Sequence, residues 1–118
     1  ACGVVDWVTD EKLLDAVTAV SGSGPAYVFL LAETLTAAAI AAGLPAARAA
    51  RLARETIAGS GELLRGSKLD AATLRKNVTS PGGTTAAALD VLMSPGGFET
   101  LLETAVAKAT RRSRDLAG

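Results

Sequence analysis

The sequence predicts an all-α domain of about six or seven helices, and two observations predict it. Apolar residues make up 49% of the chain but aromatics only 3%. The apolar mass is therefore Ala, Leu and Val, and Ala- and Leu-rich segments favour helices that pack closely. The punctuation between segments also has the asymmetry of helices, with cap residues or proline at starts and glycine at ends. A chain of 118 residues is long enough for one domain with a real core, so residues 1–118 are expected to form a single domain.

The elements follow in order. Cys2 to Val8 mix small and apolar residues and read as a short extended entry segment. Thr9 or Asp10 caps a first helix with Glu11 in its first turn and Leu13, Leu14 and Val17 on one face. It ends near Val20, before Ser21-Gly22-Ser23-Gly24-Pro25. Pro25 suits the first position of a second helix, with Ser23 or Gly24 as cap. From Ala26 to Ala42 the stretch is apolar nearly all round, interrupted by Glu33, Thr34 and Thr36. Such a helix is buried centrally or lies in a membrane. A membrane span needs about 20 strongly apolar residues. This stretch is shorter, Ala-heavy and carries Glu33 in its middle, so burial in a dimer is expected. Glu33 then needs a partner, because an unpaired buried carboxylate is costly.

Gly43 ends that helix and Leu44-Pro45 starts the next. Ala46 to Leu64 carries an apolar stripe of Leu52, Ile57, Leu63 and Leu64, with Arg48, Arg51, Arg54, Glu55 and Glu62 on a solvated face. Gly66-Ser67 breaks it, and Asp70 caps a short helix from Ala71 to Asn77. After the loop Val78 to Gly83, Thr84 to Met93 is helical. Ser94-Pro95-Gly96-Gly97 is a turn between helices. The last helix, Phe98 to about Leu116, is expected to bury Leu101, Leu102, Ala105, Val106 and Ala109. Lys108, Arg111, Arg112 and Arg114 complement the negative end of its dipole. No internal repeat of useful length appears.

Composition excludes several functions. Net charge is zero, which argues against a nucleic-acid groove or an anionic membrane as partner. There is no histidine, and Cys2 is the only cysteine. His-based acid–base catalysis, Cys–His nucleophiles, zinc sites and disulfide frameworks are thereby excluded within this chain, and no metal is expected. The positive mean hydropathy of so short a chain hints at surface buried against a partner. The chain opens on Ala1 rather than Met and without a signal-peptide pattern. It is expected to be part of a longer, cytoplasmic protein.

Two stretches could carry chemistry. In Val78-Thr79-Ser80-Pro81-Gly82-Gly83-Thr84-Thr85, proline locks its own φ and biases Ser80 away from the α region. Gly82-Gly83 allows positive φ and the close approach of a ligand. Thr84 and Thr85 then lead into Ala86-Ala87-Ala88-Leu89. The N–H groups of that first turn, the helix dipole and two hydroxyls converge where a carboxylate or phosphate would fit. On local chemistry alone, the commoner outcome is a capped helix start. The second stretch, Ser21 to Pro25, looks superficially like G-x-G before a helix. It lacks the third glycine and the preceding strand of a dinucleotide fingerprint. Gly59-Ser60-Gly61 lies inside a helix and fails the same test. The chain therefore holds no nucleotide-binding half. Ser21 to Pro25 reads as a tight helix–helix connection.

Together the stretches carry a resemblance. Asp15-Ala16-Val17-Thr18-Ala19-Val20-Ser21-Gly22-Ser23-Gly24-Pro25-Ala26-Tyr27, followed by Asn77-Val78-Thr79-Ser80-Pro81-Gly82-Gly83-Thr84-Thr85, resembles the C-terminal domain of pyrroline-5-carboxylate reductase. The spacing between the blocks and the closing helix fit as well, from about Val8 onward. The resemblance implies NAD(P)H-dependent reduction of the ring imine of 1-pyrroline-5-carboxylate to L-proline. It implies an N-terminal Rossmann domain that holds NADPH or NADH and is absent here. It also implies a helical C-terminal domain that interlocks with its twin into a homodimer, with further assembly of dimers open. By motif position, the backbone at Gly83 and Thr84 and the hydroxyl of Thr85 hold the substrate carboxylate, with Ser80 nearby. Thr18 lies beside the imine, Asn77 faces the nicotinamide, and Glu11 borders the pocket. The fragment alone is expected to be inactive. Two alternatives stay open: a non-catalytic helical dimerisation module, and the same domain in a related imino- or hydroxy-acid dehydrogenase.

Overall fold

A computed structural model describes residues 11–118. The expected entry segment Cys2 to Val8 and the cap at Thr9 or Asp10 lie outside the described residues. The elements are α1 (Glu11–Val17), a π-helical turn (Thr18–Gly22), α2 (Gly24–Ala41), α3 (Ala46–Gly66), α4 (Ala71–Asn77), α5 (Thr84–Leu92) and α6 (Phe98–Ala117). No strand occurs among the described residues, and the all-α expectation holds with six α-helices and one π turn.

Local chemistry accounts for most boundaries. Gly43 has φ +108, which only glycine adopts freely. It donates its N–H to Ile40 O at 2.9 Å, and Leu44 donates to Ala39 O at 3.1 Å. This pair of bonds is a Schellman motif and satisfies carbonyls at the end of α2. Pro45 follows as the N-cap of α3, extended at φ −59 and ψ 145. Asp70 caps α4 by accepting the N–H of Thr73 at 2.8 Å. Hydrogen bonds from Thr73, side chain first and then backbone, hold the Asp70 carboxyl below its ordinary range.

The expected break at Ser21 to Pro25 is a correction. The chain does not leave helical space there. Ser23 is itself α-helical in φ and ψ, and it donates its N–H to Thr18 O five residues back at 3.0 Å. Pro25 supplies the reason. It has no N–H, and its ring collides with the carbonyl four residues earlier in a regular α-helix. A wider turn with one surplus residue relieves that collision while helical geometry continues.

The described residues form two compact units, 11–25 with 84–118, and 26–83. In the first, α1, the π turn and α6 pack on one another. Ala19 is fully buried there, and Ser113 Oγ donates to Asp15 Oδ1 at 2.8 Å. In the second, Ala49 and Ala53 are buried on α3.

The expected core positions are corrected as well. Leu52, Leu63 and Leu64 of α3, Leu13, Leu14 and Val17 of α1, and Leu101 and Leu102 of α6 are exposed. So is Ala105, while Ile57, Val106 and Ala109 are half-buried. No residue of α2 is buried, and Glu33 is exposed. The helical periodicity was sound, but a Leu stripe needs an opposing surface. Among the described residues, this chain encloses only alanines completely.

Candidate functional site

The loop before α5 is built by its own letters. Ser80-Pro81-Gly82-Gly83 closes a four-residue turn, with Gly83 N–H donating to Ser80 O at 3.0 Å. Gly82 has φ +71, which makes this a type II turn with proline and glycine in the positions that turn demands. Gly83 needs no positive φ, but a Cβ there would lie 3.2 Å from Ser80 O. The turn consumes the N–H of Gly83. That corrects one expectation: Gly83 does not offer its amide to a ligand here. The free donors begin one residue later. The first amides of a helix have no intrahelical acceptor. Those of Thr84, Thr85 and Ala86 have no acceptor among the described residues.

Many threonine hydroxyls are already engaged. Those of Thr34, Thr36, Thr56 and Thr110 fold back onto carbonyls of the preceding turn. Thr79 does the same to Arg75 O at 2.6 Å, so its side chain is spent. Back-bonding is the usual fate of Ser and Thr within helices. The hydroxyls of Thr18, Ser80, Thr84 and Thr85 make no such bond among the described residues. Thr85 is half-buried, whereas Thr18, Ser80 and Thr84 are exposed. Free donors and free hydroxyls thus coincide at the start of α5, where the helix dipole is positive.

Thr18, Thr84 and Thr85 belong to the first compact unit, and Asn77, Ser80 and Gly83 to the second. Asn77 is the last, exposed residue of α4. Glu11 opens α1, but its side chain lies outside what is described. The π turn carrying Thr18 escaped sequence reasoning. Its one signal was Pro25 set within an otherwise helical run.

The profile of the family described as pyrroline-5-carboxylate reductase dimerisation matches residues 11–116. The chain belongs to this family. A pyrroline-5-carboxylate reductase from Pseudomonas aeruginosa is 46% identical over 117 residues, covering 99% of this chain and 42% of the relative. One from Synechocystis is 48% identical over 106 residues, covering 90% and 39%. Among solved structures, the Coxiella burnetii pyrroline-5-carboxylate reductase superposes with a TM-score of 0.90 at 39% identity, over 97% of this chain and 42% of that one. The Plasmodium falciparum pyrroline carboxylate reductase, solved with NADP bound, gives 0.86 at 36% identity, over 99% and 44%. The chain thus spans about two fifths of the length of these family members.

Proposed function

We propose that residues 1–118 act as the substrate-holding and dimer-forming domain of a cytoplasmic pyrroline-5-carboxylate reductase. That enzyme reduces the C=N bond of 1-pyrroline-5-carboxylate to give L-proline. The observation that carries this reading is the start of α5: three unpaired amides and two unpaired threonine hydroxyls behind a locked type II turn. Such a group of donors suits a small carboxylate. NADPH or NADH, held mainly by sequence outside this chain, supplies the hydride when bound.

The chain's own residues bind and orient. Thr84 and Thr85 hold the substrate carboxylate through backbone amides and hydroxyls, with Ser80 as a further donor and Gly83 shaping the approach. Thr18 sets its free hydroxyl beside the imine nitrogen, where it orients the ring or relays a proton. Asn77 faces the nicotinamide, and Glu11 borders the pocket. Hydride transfer to an already protonated imine asks for little acid–base machinery. It asks that the carbon be held against the donor, which is what a preorganised clamp does.

The homodimer is part of the proposal, and exposed apolar side chains support it. Phe29 of α2 is 70% exposed, Val91 of α5 69% and Leu101 of α6 62%. By length and composition, Leu13–Ala41 would also suffice to cross a membrane. We assign it to a protein interface because Glu33 sits in its middle, and because α5 and α6 leave apolar residues needing the same cover.

The test is Thr85→Val in the full reductase. Losing one hydrogen bond to a charged group, about 1.5–3 kcal/mol, should raise KM for 1-pyrroline-5-carboxylate about 10- to 150-fold. An unchanged KM and kcat would remove the clamp and leave a dimerisation module.

A further inference from the structure

We infer that Pro25 is a positioning residue. By enforcing the π turn Thr18–Gly22, it holds the hydroxyl of Thr18 free for the reaction. The inference rests on the proposed reading of Thr18 beside the substrate imine.

The local geometry makes the argument. The bond from Ser23 N–H to Thr18 O spans five residues, so this turn holds one residue more than an α turn. One surplus residue rotates the side chains before the turn by about 100° relative to those after it. Isolated π turns inside α-helices concentrate at functional sites. Nothing intrinsic favours this one, since its geometry is rarer and poorer than an α turn. Pro25 tips the balance by lacking the N–H and by blocking the α-helical position of the Ser21 carbonyl.

The turn's side chains fit a positioning role. Ala19 is wholly buried, in the packing of α1 and the turn against α6, so this stretch of backbone is anchored. Its neighbours Thr18 and Val20 are exposed. Ser21 Oγ donates to Val17 O at 2.9 Å, which ties the turn to the end of α1. Thr18 does the opposite of its neighbour: its carbonyl is engaged by Ser23, while its hydroxyl makes no bond back to α1. Its methyl group lies toward Gly22, 3.6 Å from where a Cβ would stand on that glycine. With the methyl on the Gly22 side, the hydroxyl is left without a backbone partner and open to a ligand. A mid-helix threonine with a free, exposed hydroxyl beside a fully buried alanine is a poor choice for stability. It is a good one for holding a polar ligand.

The experiment replaces Pro25 with Ala in the full reductase, giving the turn its missing N–H and removing the ring. The turn should relax toward an ordinary α register. Turnover should fall tenfold or more, while KM for 1-pyrroline-5-carboxylate changes less than threefold because the α5 clamp is untouched. The melting temperature should hold or rise, since Ala favours a helix interior over Pro. A merely structural proline would instead lower stability and leave the turnover of the folded fraction intact. Pro25→Leu restores the same N–H with a larger helix-favouring side chain and should give the same loss of kcat, which covers the case in which Pro25→Ala does not fold. Full turnover in the folded variant, or a crystal structure of Pro25→Ala that retains the bond from Ser23 to Thr18, would overturn the inference. Thr18→Val separates the two layers. If it leaves kcat unchanged, the reading of Thr18 fails; if it lowers kcat while Pro25→Ala and Pro25→Leu do not, only the positioning role fails.

Discussion

The letters Ser-Pro-Gly-Gly occur twice, and in the second copy the structure predicts that the same substitution acts differently at its two glycines. In the second copy, Gly97 N–H donates to Ser94 O at 2.8 Å, and Gly97 O accepts from Leu101 N–H at 3.0 Å as the N-cap of α6. A Cβ on Gly97 would run into Leu92 O, with the Leu92 carbonyl carbon 2.7 Å away and Ser94 O at 3.0 Å. Ordinary carbon contacts are about 3.5–4.0 Å, so the end of α5 and the start of α6 must part by about 1 Å. All the opposing atoms are backbone, so no flexible side chain can yield. Overpacking of this kind costs about 1–3 kcal/mol, and a lost turn hydrogen bond about 1 more. At about 4–5 °C per kcal/mol, Gly97→Ala should lower Tm by about 8–20 °C. Gly96 is the control. A Cβ there meets nothing within 4 Å, and its φ is not positive. Gly96→Ala should therefore be neutral or stabilise by up to about 1 kcal/mol through the unfolded chain. Both are read by thermal unfolding at one fixed protein concentration, since melting linked to association moves with concentration. A Gly97→Ala protein melting within about 2 °C of the parent would refute the steric reasoning, as would a Gly96→Ala protein that melts lower than Gly97→Ala.

Three further outcomes follow from the same geometry. Gly82→Ala places a side chain at φ +71 and should cost about 1–2 kcal/mol in urea unfolding, with KM for the proposed substrate rising as the start of α5 loses its fixed entry. Ser113→Ala removes the bond from α6 to Asp15 at 2.8 Å and should cost about 1 kcal/mol; the double variant with Asp15→Asn should be nearly additive only if that bond carries no energy. The Asp70 carboxyl titrates lower in the folded chain than its ordinary value because Thr73 bonds to its charged form. Its contribution is therefore present at neutral pH and lost as pH falls through the lowered value, so the difference in Tm between parent and Asp70→Ala should vanish in strong acid.

Where a local stretch carried its own cause, the sequence was a sufficient guide. Gly43 with Leu44-Pro45, Asp70 ahead of Thr73, and Ser80-Pro81-Gly82 each fix backbone angles or hydrogen bonds within five residues, and each forms as read. The resemblance carried by the two motif blocks identified the family, and the charge balance and absence of histidine narrowed the chemistry. Local stretches failed where two readings shared the same letters. Gly82 needs its positive φ, whereas Gly96 in the matching position does not. Gly83 was read as an amide donor to ligand, but the turn claims that amide, and no residue type announces in advance which carbonyl will claim a donor.

The chain's helical character and most of the places where its helices stop were thus determined by sequence alone, because propensity, caps and turn chemistry act over short range. The tertiary structure decided what depends on neighbours distant in sequence or on competition between nearly equal local states. It chose Ala19, Ala49 and Ala53 over the leucines for burial within the chain, and Ala19 lies where α1 and the π turn pack on α6. It also chose the π turn over a break at Pro25. There the packing of Ala19 against α6 keeps the chain helical, while the proline forbids the ordinary helix. The free hydroxyl of Thr18 goes with that compromise.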